Sequence, residues 1–80
     1  MEKVNFEMIA KISSNVFEID YDLINIDSSP SDIENWDSIH HLMFISNLEE
    51  ELNIEINVDD FDQMYSIRAV LNLVNSRYTN

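Results

Sequence analysis

The chain is predicted to fold as an all-α protein, a small four-helix bundle of three longer helices and one short helix with a long first loop. Three observations predict it. Apolar residues recur at three- and four-residue spacing in three separate stretches, the pattern of helices that each bury one face. Turn-forming residues gather in one place, Asp27-Ser28-Ser29-Pro30-Ser31-Asp32, around the only Pro, so a loop divides the first stretch from the second. The 80 residues suffice for one core and no second, so a single domain over residues 1–80 is expected.

The first helix is read from Val4 to about Ile19, where Val4, Met8, Ile9, Ile12, Val16 and Ile19 form the buried stripe. Phe6 and Phe17 fall outside that stripe and are expected against the following loop. The loop, Asp20 to Trp36, carries four apolar residues, Leu23, Ile24, Ile26 and Ile33, expected to anchor it over the core. Ser31-Asp32-Ile33-Glu34 has the spacing of a capping box and is expected to form a single helical turn. Trp36, the only Trp, is expected to plug the junction of loop and second helix, because it buries a large area.

Asp37 stands directly before the second periodic stretch and is the preferred kind of N-cap. The second helix is therefore read as Ser38 to Leu52. On a wheel of about 100° per residue, His41, Ile45, Leu48 and Leu52 form one seam, which should face the bundle. Ile39, Leu42, Met43 and Ser46 lie rotated away from it, close to Ser38, and exposed apolar residues call for a partner. Leu42 and Phe44 fit a widened buried stripe as well as they fit a docking surface. Ile39 and Met43 are assigned to docking, Met being suited to a surface that meets several partners. Glu49-Glu50-Glu51 would add an acidic rim, with Glu50 on the side of Ile39 and Met43. A run of like charge near a helix C-terminus is unfavourable for the dipole, which favours a role for Glu49 and Glu50 in docking.

Asn53 is read as the left-handed residue that ends this helix, since Asn is the usual substitute for Gly there. Val58 to Met64 follows as a short helix in which Asp59 and Asp60 complement the dipole at its start. Its acidic residues lack the Gly and the final Glu of a calcium loop. Ser66 is expected to cap the last helix, whose stripe is Ile67, Val70, Leu71, Val74 and Tyr78. Arg68 and Arg77 point outward in this reading.

Charge and composition restrict the function. Sixteen acidic against four basic residues give a net charge of −12, which opposes nucleic acid and anionic membrane surfaces and favours basic or neutral protein partners. Without Cys the chain has no disulfide, no thiolate metal site and no nucleophilic thiol, so any sulfur chemistry must arrive on a prosthetic group. Met1 to Val4 lacks the basic and apolar parts of a secretory signal, and no segment is long enough to span a bilayer. A cytoplasmic monomer is expected.

Ser38 is the residue these observations single out. At the first helical position its hydroxyl is exposed and lies beside the positive end of the helix dipole, where a phosphate ester is well tolerated. His40 and His41 do not turn Ser38 into a hydrolase nucleophile: consecutive helical side chains diverge, and an oxyanion site and an orienting acid are needed as well. Nor do adjacent helical residues converge on a metal ion.

Trp36-Asp37-Ser38-Ile39, followed at fixed distance by Leu48-Glu49-Glu50-Glu51-Leu52-Asn53-Ile54-Glu55-Ile56, resembles the Asp-Ser-Leu motif and second helix of acyl carrier proteins, over essentially the whole chain. The resemblance implies that a phosphopantetheinyl transferase attaches phosphopantetheine to Ser38, with Asp37 as cap and recognition residue. The arm then holds acyl groups as thioesters. Partners would be that transferase and acyl-loading or acyl-processing enzymes with basic docking surfaces, and the chain itself would not be an enzyme. Ile39 stands where Leu is usual, His40 and His41 follow it, and Asn53 stands where Gly is frequent; these departures bear on subclass and partner choice. Fatty-acid, polyketide, polysaccharide and nonribosomal-peptide service stay open, so the cargo is acyl or aminoacyl. The competing class is an acidic helical adaptor in which Ser38 only starts a helix.

Overall fold

Asn5 opens the first helix: its side-chain oxygen accepts the Met8 N–H at 3.0 Å, satisfying one of the donors that a helix start leaves unpaired. Helix α1 runs Phe6–Phe17 and buries Ile9, Ala10, Ile12, Ser13, Val16 and Phe17. In this computed structural model residues 3–78 are described; Met1 and Glu2, the head of the stretch read for a targeting signal, and the two ends of the 1–80 domain lie outside them. The helix is shorter than its apolar stripe at both ends. Val4 is buried before the cap, while Met8 is exposed, contrary to expectation. Phe17, read as peripheral, is core.

Glu18 ends α1 in the left-handed region at φ 54°. The Ile19 N–H then reaches back to the Ser14 carbonyl at 3.2 Å, and the Ser14 hydroxyl donates to the Ile19 carbonyl at 2.7 Å, so the last turn closes on itself. A chain without Gly has to place a side-chain-bearing residue at such a position, and no sequence rule marks Glu for it.

The loop folds onto the core through Ile24 and Ile33, which are buried, and Ile26, which is half-buried. Leu23 is a correction: it is 65% exposed, carried outward on a short 3₁₀ turn, Tyr21–Leu23. The capping interaction also sits elsewhere than expected. Asp32 accepts the Ser29 N–H at 3.2 Å, and the Asp32 and Ile33 N–H groups return to the Ser29 carbonyl at 2.8 and 3.0 Å. Ser29 thus opens the turn with Pro30 in its first position, where a missing N–H costs nothing, and Ser31 lies inside it.

Helix α2, Ser38–Leu52, has the expected bounds. His41, Phe44, Ile45, Leu48 and Leu52 are buried, so Phe44 widens the core stripe and Leu42 does not. Asn53 follows at φ 54° and ψ 51°, the left-handed end that was expected. The expected short helix is present as a 3₁₀ helix, Val58–Gln63. Asp60 does not complement its dipole from solvent; it is buried, paired with the Arg77 guanidinium and accepting the Tyr78 hydroxyl. The Asn57 N–H donates to the same hydroxyl at 3.0 Å. Arg77, read as pointing outward, lies at the surface but reaches back to this carboxylate.

Helix α3, Ile67–Leu73, starts on Ser66, whose hydroxyl accepts the Ala69 N–H at 3.0 Å. The two preceding N–H groups, of Ile67 and Arg68, donate to the loop carbonyls of Ser28 and Ile26 at 3.0 and 2.9 Å. The first loop therefore finishes the start of the last helix, which accounts for its backbone polar groups. Arg68 adds a surface pair with Asp27 at 2.9 Å. At Val74 the winding loosens into a π turn, Val74–Tyr78; Ile67, Val70 and Val74 are buried, and Leu71 and Tyr78 only half so. Asn75 in this turn exchanges two hydrogen bonds of 2.8 Å with the Val4 backbone, tying the described start of the chain to its end.

Among the described residues every regular element is helical and none is a strand. Helix α1 packs against both α2 and α3, and no helix there is long and apolar enough to cross a membrane. No buried side-chain polar atom lacks a partner among the described residues.

Candidate functional site at the start of α2

Three residues fix the approach to Ser38. The Asn35 side-chain amide donates to the Phe17 carbonyl at 2.8 Å, holding the loop end to the last turn of α1. Trp36 is buried with its ring stacked on Phe17 at 4.7 Å and edge-on to Phe44 at 5.7 Å, the plug that its size led us to expect. Asp37 then caps α2: its carboxylate accepts the His40 N–H at 2.8 Å while its carbonyl accepts the His41 N–H at 2.8 Å.

The His40 ring folds back so that Nδ1 lies 2.8 Å from the same Asp37 oxygen. Asp37 is consequently held below the ordinary carboxylate value, first by the His40 backbone N–H and then by the His40 ring. It stays ionised at the positive end of the helix, the arrangement that best supports a cap. Ser38 follows immediately and is exposed.

From Ser38 the apolar face runs along the solvent side of α2. Ile39 is 70% exposed, Leu42 55% and Met43 46%, and Ser46 and Glu50 on the same side are exposed too. Single exposed apolar residues need no explanation, but three within five positions make a patch. Glu49 belongs elsewhere. Its carboxylate accepts the Ile56 N–H at 2.8 Å, so it is committed to the turn after α2, and of the two expected rim residues Glu50 is the one facing out beside the patch.

His41 is the residue whose part the sequence did not disclose. It is 2% exposed; Nδ1 accepts the Trp36 indole N–H at 2.8 Å, Nε2 lies 2.9 Å from the Phe61 carbonyl, and Tyr65 stacks on the ring at 3.9 Å. Helical periodicity gives its burial but not these bonds, because Trp36, Phe61 and Tyr65 all lie outside α2.

No protein-family model matches the chain, and no curated protein is significantly similar to it.

Proposed function

We propose that this protein is an acyl-carrier-like domain, in which Ser38 bears a phosphopantetheine arm. The carrying observation is the juxtaposition on one helix: an exposed hydroxyl at the first position, directly after an ionised Asp cap, with the apolar patch Ile39, Leu42 and Met43 beginning at the next residue. The residues suit the group. The Ser38 oxygen would hold it as a phosphate ester beside the positive helix end, and the absence of Cys leaves its thiol without an internal competitor. When bound, the arm supplies the thiol on which acyl or aminoacyl groups travel as thioesters.

The chain's own residues divide the remaining work. Asp37 and His40 keep the first turn wound, so that the Ser38 hydroxyl stands clear of the backbone. Trp36 and Asn35 hold the preceding loop down, which leaves α2 open to an approaching enzyme. Ile39, Leu42, Met43 and Glu50 form the recognition face, apolar in the middle and acidic at one end, and suit enzymes whose docking surfaces are basic. The catalytic metal and base belong to the transferase that modifies Ser38.

Incubation with coenzyme A, magnesium and a broad-specificity phosphopantetheinyl transferase tests the reading. The protein should gain the mass of one phosphopantetheine, and Ser38→Ala should gain none while unfolding at nearly the parent temperature. No gain by the parent with several transferases would transfer the argument to an adaptor that uses the same patch.

A further inference from the structure

We propose that His41, present as the Nε2–H tautomer, is the positioning residue of the Ser38 site. The inference rests on the reading of Ser38 given above, and its geometry is independent of it. An indole N–H can only donate and a peptide carbonyl can only accept. With Trp36 Nε1 at 2.8 Å from Nδ1 and the Phe61 oxygen at 2.9 Å from Nε2, the ring has one arrangement that satisfies both neighbours: Nδ1 bare, Nε2 protonated.

The ring therefore works as a two-ended strut. One end holds Trp36, two residues before Ser38 along the chain, and the other holds the 3₁₀ segment Val58–Gln63 through Phe61. His41 lies one helical turn beyond Ser38 on a neighbouring row of α2, since positions three apart are adjacent on a helix. Tyr65, itself 42% exposed, closes the remaining ring face at 3.9 Å. Three elements thus converge on one imidazole: the loop end that delivers Ser38, the helix that presents it, and the segment that leads into α3. An apolar side chain of similar size would fill the volume but connect none of them, leaving the buried Trp36 indole N–H without its acceptor and the Phe61 carbonyl with the Met64 N–H alone.

The test uses the full chain and two variants. His41→Gln keeps an acceptor and a donor on one side chain; His41→Leu keeps only bulk. In the parent, nitrogen NMR of the imidazole should show Nδ1 unprotonated and Nε2 protonated. Loading of Ser38 by the transferase should stay near the parent rate in His41→Gln. It should fall about tenfold or more in kcat/KM in His41→Leu, because small displacements of a reacting group carry penalties of that order. Amide exchange at Asp37 and His40, whose N–H groups donate to the Asn35 carbonyl and the Asp37 carboxylate, should quicken in the Leu variant alone.

An Nδ1–H ring, or a folded Leu variant that loads and exchanges like the parent, would overturn the proposal. Should the Leu variant fail to fold, the parent tautomer and the Gln variant decide it: a folded Gln variant loaded as poorly as about a tenth of parent would also overturn it. If the parent is not loaded at all, the carrier reading fails. The exchange rates and the tautomer then still judge whether His41 positions the turn.

Discussion

Glu18 is the residue whose backbone works hardest against its side chain. Held at φ 54°, it occupies a region that only Gly enters without steric cost, so Glu18→Gly should stabilise the protein by about 0.5–1 kcal/mol. Asn53→Gly, at the same angle, should gain less, since Asn tolerates that region better than Glu. Urea midpoints of the two variants check both, and a loss in either would mean that its side chain makes a contact worth more than the strain. The Tyr78 hydroxyl is held above its ordinary value of 10.0, mainly by burial and then by its bond to Asp60. The sign follows: its contribution is complete below 10.0 and is lost as pH rises through the higher folded-state value. Tyr78→Phe should cost about 1–2 kcal/mol at neutral pH, because the buried Asp60 carboxylate loses a donor, and should show a weaker loss of stability at alkaline pH than the parent. Asp37 runs the other way. Lowered beneath 3.8, it supports α2 fully above that value and lets go as pH falls through the folded-state value, so Asp37→Asn should flatten the acid limb of a stability curve.

Helix α2 shows at the scale of an element how much the sequence discloses. Its two ends and its inner seam followed from Asp37, Asn53 and the four-three-four spacing of His41, Ile45, Leu48 and Leu52, because caps and periodicity are local signals. The choice between Leu42 and Phe44 did not, since both border the stripe and only the neighbouring aromatic rings of Phe17 and Trp36 decide which turns inward. Distance in sequence hides more: Glu49 with the Ile56 N–H, Asp60 with Arg77 and Tyr78, and His41 with Trp36 are partnerships that no spacing rule announces. For Ser38 the hydroxyl, its cap and its exposed neighbours were legible, whereas the strut beneath them was not. The two faces of α2 should separate cleanly in mutagenesis. Met43→Lys and Glu50→Lys should shift stability by about 0.5 kcal/mol or less while weakening partner binding, and Phe44→Ala should cost about 3–5 kcal/mol. A Met43→Lys variant that unfolds would move Met43 into the core.

Across the whole molecule the scarcity of positive charge matters as much as the excess of negative. Of the four basic residues, Arg68 pairs with Asp27 and Arg77 with Asp60, and the other two, Lys3 and Lys11, offset little of the charge of sixteen acidic residues. A basic partner should accordingly associate more slowly as salt is raised, since steering between exposed charges is screened within about 10 Å at 0.1 M; an association rate independent of salt would place the contact on apolar surface alone. In the proposed reading the functional atom is the Ser38 hydroxyl oxygen. The measurement that tests this most directly is tandem mass spectrometry of the protein isolated from its own cells and of Ser38→Ala isolated in the same way. The account predicts a phosphopantetheine ester on Ser38, with an acyl or aminoacyl group on part of the population, and a bare chain in the variant. A bare Ser38 throughout the parent, or the same group on any other residue, would contradict it.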